Sequence, residues 1–387
     1  MIHLREPYRV FFPLGMLFGL CGVAIWPLYS FGVTATYSGR SHALVQIFGF
    51  LYAFIAGFLL TAVPRFTGTQ LPAMITQIAL AALLTVAAVA SEFRAFALGT
   101  VAFVAAHAML LTLVARRFMK RRQNPPPTFV LIGLGLVAGV AGALLTSAVA
   151  LDLIPASWDL LGKRLLTEGM VMLLVLGVGG FLGPRLLGFA ALPAHSAPLP
   201  QQKLPPVLQF SVVESFTAGL VILISIVAEY GFDLSRMAYV RAVVVSIVVI
   251  RSLQLWKRPM AKTTLARSIW IAFWMIAIGV WVVAAAPRYR ADFLHILFIG
   301  GFSLLILAIA TRVTLSHGGH DLAQERRSWP LRVGVTLTLV AMLARLGAPF
   351  AANSYFAHLA WAAILWMAGI LWWSGYILRR IRPAPKL

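Results

Sequence analysis

Eight histidines are the residues of this chain best suited to chemistry near neutral pH, because imidazole both carries protons and ligates metals there. His42 stands at the lip of "SHALVQIFGFLYAFIAGFLLTAVPRFTG" (Ser41 to Gly68), which runs uncharged until proline and arginine end it. His295 opens a similar run, and "RVTLSHGGHDL" (Arg312 to Leu322) closes it with His317 and His320. His295 and His317 are 22 residues apart, roughly 30 Å along a helix at 1.5 Å per residue, so they cannot bind one ion within a monomer. Cys21 is the only cysteine, which excludes an intramolecular disulfide, a four-cysteine cluster and covalent haem attachment through paired cysteines.

The elements that hold these residues are membrane spans. An apolar run near twenty residues matches a hydrocarbon core about 30 Å thick. The whole chain agrees: 61% of it is hydrophobic and 11% charged, against roughly 25% charged in soluble domains, and the mean hydropathy is +0.90. Twelve spans are expected, near residues 9–31, 43–63, 70–90, 93–115, 127–150, 167–190, 207–230, 238–256, 267–287, 291–315, 330–350 and 354–378. Backbone groups must be paired in lipid, and uninterrupted apolarity does not suit the alternation of a barrel. The expected fold is all-α, a polytopic bundle of about 12 transmembrane helices in the lipid bilayer. It forms one integral-membrane domain over 1–387, with a loose six-plus-six division at the Pro-rich connector 192–206 and no convincing repeat between the halves.

A formal net charge of +21 does not point to nucleic acid, because the basic residues lie between spans rather than on a soluble face. They report topology instead. With the amino terminus inside, about 23 of the 32 Lys and Arg fall on inner segments, which by the positive-inside rule puts both termini in the cytoplasm. The first span begins almost at once, without a small-residue cleavage site after it, and reads as an anchor rather than a removable signal.

This topology sorts the histidines by depth. His42, His295 and His358 fall near the outer ends of spans two, ten and twelve; His3, His195, His317 and His320 lie inside, and His107 in the inner half of span four. From His42, helical spacing brings Gln46, Gly49, Ala53 and Ala56 into a small and polar stripe, which lets another helix or a flat cofactor approach closely. Arg345 is within span eleven toward the same side, where a guanidinium needs an anion such as a haem propionate, a carboxylate partner, or a route to the interface. "HGGH" reads either as a copper site, with imidazoles three apart converging on one ion, or as an exit loop with glycine at the helix C-cap. Glu214 and Arg251 are further buried-charge candidates and possible partners.

"HALVQIFGFLYAFIAGFLLTAVPRFTG", "GVGGFLGPRLLGF" (Gly177 to Phe189), "HILFIGGFSLLILAIATRVTLSHGG" (His295 to Gly319), "LARLGAPF" (Leu343 to Phe350) and "WAAILWMAGILWW" resemble, in order and spacing, the signature segments of the NnrS family. The resemblance implies a twelve-span protein of the bacterial inner membrane that holds haem and copper and is tied to denitrification and nitric oxide resistance. Carried over by position, His42 matches the family's first signature histidine, and Gly49, Gly57, Pro64 and Gly68 match the glycines and proline that follow. His295, Thr311, Arg312, His317 and Gly319 match the tenth-span segment, and Arg345 the arginine of span eleven. The chain departs from the family pattern where a second histidine, a glutamate and a methionine are common: Leu44, Val45 and Gln46 stand there. Phe181 likewise replaces an arginine. One candidate ligand and one carboxylate are gone.

The leading expectation is therefore a haem b protein in nitric oxide handling, with His42 and His295 converging on one iron as axial ligands, Arg345 on a propionate, Gly49 against the cofactor, and copper as a second metal. A secondary transporter suits twelve spans, but the loop "PRFTGTQLP" lacks the charged pattern of the major facilitator family and few acids lie within spans. A haem-copper oxidase core would need paired histidines at one site, and the only close pair, His317 and His320, is at the opposite end from His295. A non-catalytic partner or assembly factor of a respiratory enzyme is the remaining alternative. The topology is checked directly: reporter fusions after Arg122 and at the carboxyl terminus should both read cytoplasmic, and a periplasmic signal from either would dissolve the outer group of histidines.

Overall fold

The computed structural model describes residues 6–190 and 210–382. The connector at 192–206, His3 and His195 lie outside the described residues. Helix dominates and no strand is present among the described residues, as backbone self-pairing in lipid requires. Among the described residues eleven helical stretches are long and apolar enough to cross a membrane. In chain order they include α1 (Tyr8–Ser30), α2 (Gly39–Thr67), α3 (Met74–Glu92), α4 (Phe96–Met119), α5 (Pro127–Ala150), α6 (Trp158–Leu186) and α7 (Val212–Gly231). After α8 (Met237–Leu253, 17 residues) come α9 (Thr264–Ala285) and α10 (Pro287–His317), then α11 (Trp329–Gly347) and α12 (Tyr355–Arg380). All twelve expected spans are present as helices. One end differs: α2 runs past Pro64 and stops at Gly68, whose left-handed φ of 66° lets its N–H reach back to the Pro64 carbonyl.

The helices gather into two compact units. One comprises Met1–Gln123 and Ile306–Leu387, the other Asn124–Leu305. The first boundary falls at the start of "NPPP", where three prolines deny the backbone a continuing helix.

Within the first unit α2 is the central helix, with 78% of its spanning window buried; in the second α6 has 83%. A helix buried on all sides must be apolar on all sides, and must let its neighbours come close. Glycines do this. Gly15, Gly19 and Gly22 of α1 form a flat strip against Phe54, Phe50 and Gln46 of α2, each so near that a Cβ would lie within 2.8 Å of a side-chain atom. In the second unit Gly142 of α5 and Gly162 of α6 bring two backbones together: a Cβ on Gly142 would stand 2.7 Å from the Gly162 carbonyl oxygen. Such contact replaces the hydrophobic drive that lipid cannot supply.

The three most buried helices share a second feature. Each widens into a π-helical segment: Gln46–Leu51 in α2, Leu165–Val171 in α6 and Ile296–Ser303 in α10. A π segment inserts a residue into the helical register and re-aims the side chains beside it, and such segments concentrate at functional sites. His42 lies four residues before the first, Glu168 within the second and His295 immediately before the third.

The glycine argument predicts opposite signs at two positions of one helix. Gly142→Ala should destabilise by about 1–3 kcal/mol, since it meets backbone that cannot yield. Gly133→Ala, with nothing within 4 Å, should be neutral or stabilise by up to about 1 kcal/mol from helix propensity. Thermal unfolding of the purified protein in detergent measures both, and a Gly142→Ala protein as stable as the parent would refute the close backbone contact.

Candidate functional site

In the first unit, α2 begins at Ser38, whose hydroxyl accepts the Ser41 N–H at 3.1 Å as an N-cap. One turn on, His42 Nδ1 is 2.7 Å from the Gly22 carbonyl oxygen of α1. A carbonyl only accepts, so the proton is on Nδ1, and Nε2 of the neutral ring is the lone-pair nitrogen. Fixing a ligand imidazole through its other nitrogen to a carbonyl is the usual way to orient a metal-binding histidine. Gln46 donates from Nε2 to the Gly19 carbonyl at 2.9 Å. The Trp26 ring meets His42 edge-on at 5.3 Å.

Arg345, in the last turn of α11, is buried and lies within electrostatic reach of the His42 ring. His358 packs at the same end of α11: a Cβ on Gly347 would be 3.4 Å from its ring, and its Nδ1 is 3.0 Å from the Ser354 carbonyl oxygen. The stripe below His42 is occupied by α1. Gly49 faces Phe18, whose Cβ would lie 2.5 Å from an added methyl, and Ala53 and Ala56 are fully buried.

The second run ends differently. Thr311 accepts the Trp373 indole N–H at 2.9 Å, and Arg312 holds both oxygens of Glu325 at 2.9 and 3.1 Å. Gly319 is left-handed at φ 71°, and the His320 N–H returns to the Leu315 carbonyl at 2.9 Å, so "HGGH" closes the helix as a glycine C-cap. His320 Nε2 lies 2.9 and 3.1 Å from the carbonyl oxygens of Arg380 and Arg382, which makes it a donor that clasps the end of α12. His317 packs beside Tyr8, ring centres 6.3 Å apart. His107 is buried and shares a 2.7 Å hydrogen bond with Tyr52.

In the second unit, His295 Nδ1 is 2.9 and 3.2 Å from the Ala291 and Asp292 carbonyl oxygens, so its proton too is on Nδ1. Arg251 and Glu214 do meet, at 2.8 Å, but with 36% and 44% of their side chains exposed. The expectation of buried charges there is corrected: both stand near helix ends, Glu214 in a capping box with Ser211. The buried charges are others. Glu168, Glu229 and Arg241 retain 1–3% side-chain exposure and are ion-paired with one another and with Arg164 and Arg290. Charged residues inside apolar runs, as in "LLTEGMV" and "YVRAVVV", were the available signal. Among the described residues, no three His, Cys, Asp or Glu side chains gather as a metal-holding group.

Among the described residues twelve helices, eleven of them long and apolar enough to span a membrane, define a polytopic α-helical membrane protein. The chain belongs to the NnrS family: the family model described as NnrS protein matches residues 2–382. No curated relative matches it.

The His320 clasp is testable by itself. His320→Ala should cost about 1 kcal/mol, the worth of a typical hydrogen bond, and should make the 380–382 segment the first target of limited proteolysis. An unchanged cleavage pattern would refute the clasp.

Proposed function

We propose that this NnrS-family protein is a haem-binding protein of the bacterial inner membrane, with both termini cytoplasmic, acting in nitric oxide metabolism or resistance. The observation that carries the reading is His42: its Nδ1 is tied to the Gly22 carbonyl, and Arg345, buried in the same unit, has its positive charge within electrostatic reach of that neutral ring. That pairing of an oriented imidazole with a guanidinium fits the iron and one propionate of haem b. His295, in the second unit, has its Nδ1 likewise held by backbone carbonyls and is a candidate ligand in its own right. Bound haem would supply an iron that takes a diatomic ligand. The residues named here hold and orient it, and the apolar helices around them limit water.

Copper fits less well. His320 Nε2 donates to two carbonyls that fix the ring as a clasp on the end of α12, which leaves only its Nδ1 for an ion, and among the described residues no three His, Cys, Asp or Glu side chains gather as a metal-holding group. Gly49, proposed from its place in the stripe as a cofactor contact, is packed on Phe18 and supports haem only through the position of α2.

A secondary transporter is the second reading, favoured by the buried carboxylates Glu168 and Glu229 in the second unit, since ionisable networks within membrane helices mark ion pathways.

Protein purified from haem-replete cells should show a Soret band that sharpens on reduction, and acidified solvent should extract the haem, because Cys21 alone cannot bind it covalently in a paired motif. His42→Ala should remove most of that band while the protein still inserts. His317→Ala should leave it nearly unchanged. A colourless, well-folded preparation would overturn the haem reading in favour of transport, and a full spectrum in His42→Ala would overturn His42 as ligand.

A further inference from the structure

The ion cluster of the second unit has more positive than negative charge. It is built where α6, α8 and α10 begin and α7 ends. Arg241 bridges Glu168 at 3.0 Å and Glu229 at 2.6 Å; Arg290 holds the other Glu229 oxygen at 2.5 Å, and Arg164 stands 3.6 Å from Glu168. All three guanidiniums surround the ring of Tyr230, at 5.6, 6.0 and 5.3 Å from its centre. Three cations face two carboxylates, leaving one positive charge, and the neighbouring Lys163–Asp159 pair does not alter the balance.

Donors are left over as well. Arg241 Nη1 and Arg290 Nε are buried without a hydrogen bond, as is Arg164 Nε. Both Glu229 oxygens also lack a well-aligned hydrogen bond, but each is in ion-pair contact with a guanidinium, and Arg241 is only 3% exposed. Burying an uncompensated charge and leaving N–H donors unmade are both costly. One added negative charge that accepts hydrogen bonds would remove both costs. Exposure falls from 18% at the Arg290 side chain to 13% at Arg164 and 3% at Arg241, so the cluster can be reached from the end at which Arg290 stands.

We propose that this cluster binds a small monovalent inorganic anion of the size of chloride, taken up by Arg241 Nη1 and Arg290 Nε. A divalent anion would overcompensate the single charge, and a bulky organic one would not reach Arg241. The proposal is independent of haem at His42, which belongs to the other unit.

The test uses the full-length protein in detergent, with chloride exchanged for gluconate at constant ionic strength and the melting temperature followed. The wild type should melt higher with chloride and saturate. Arg290→Gln, which makes the cluster neutral, should lose the dependence. Glu229→Gln, which adds a second uncompensated charge, should reach half-saturation at about tenfold lower chloride. A merely structural role would lower stability in both variants without moving chloride dependence in opposite directions. A flat response in the wild type overturns the proposal, as does an Arg290→Gln protein that keeps the wild-type chloride curve. Arg290 is at the rim, so its variant remains decisive even where Glu229→Gln does not fold.

Discussion

In an apolar medium every polar group must find its partner inside the protein, and the rest of this structure follows from that. It forces the backbone into helices. It also removes the hydrophobic drive between them, so association depends on close contact, and glycine is the residue that permits it. The Gly15, Gly19 and Gly22 strip is therefore more than a packing surface. Because it brings α1 against α2, the Gly19 and Gly22 carbonyls come within hydrogen-bond distance of Gln46 and His42. The same contact that holds two helices together orients the imidazole.

Side chains obey the same constraint, and the two units meet it differently. In the first, polar groups are satisfied by backbone carbonyls and single partners: His42 on Gly22, His320 on the carbonyls of Arg380 and Arg382, Trp373 on Thr311. In the second, charges satisfy charges through a network whose members come from four helices. A network of that kind is costly to assemble and stays costly where one donor is left over. An orphaned guanidinium N–H on a residue as buried as Arg241 thus says more about function than a surface ion pair such as Glu214 with Arg251.

The fold was legible because composition and run length decide it: the expected span at 238–256 is Met237–Leu253, and that at 127–150 is Pro127–Ala150. The helix end at "SHGGH" was legible too, since glycine between polar residues after an apolar run is what a C-cap requires. Other features left no trace in one sequence. The π segments "QIFGFL" and "ILFIGGFS" have the same apolar composition as the α-helix around them. Pro64 suggested a stop, but a proline three residues before a helix end removes one hydrogen bond and Gly68 supplies the cap. The ion cluster was missed because the two pairings that close it join residues 61 and 73 positions apart, Glu229 with Arg290 and Glu168 with Arg241. Depth could not be read either. Glu214 reads from the sequence as a buried charge, although it stands in the first turn of its helix.

The departures from the family pattern gain a physical sense from these contacts. Leu44 and Val45, where a histidine and a glutamate are common, are buried, and Val45 packs with Phe18 and Ala88. Neither position is a place where a polar side chain could be lost without repacking, because a cavity lined by former polar partners would be left unsatisfied. Gln46, in place of methionine, turns the start of the π segment into a hydrogen-bond donor to α1. The changes act together: Leu44 is fully buried, Val45 fills the space against α1 and α3, and one amide adds a tie beside His42. What this chain presents at the head of α2 is a single imidazole, held by the Gly22 carbonyl, with Arg345 as the charge nearby.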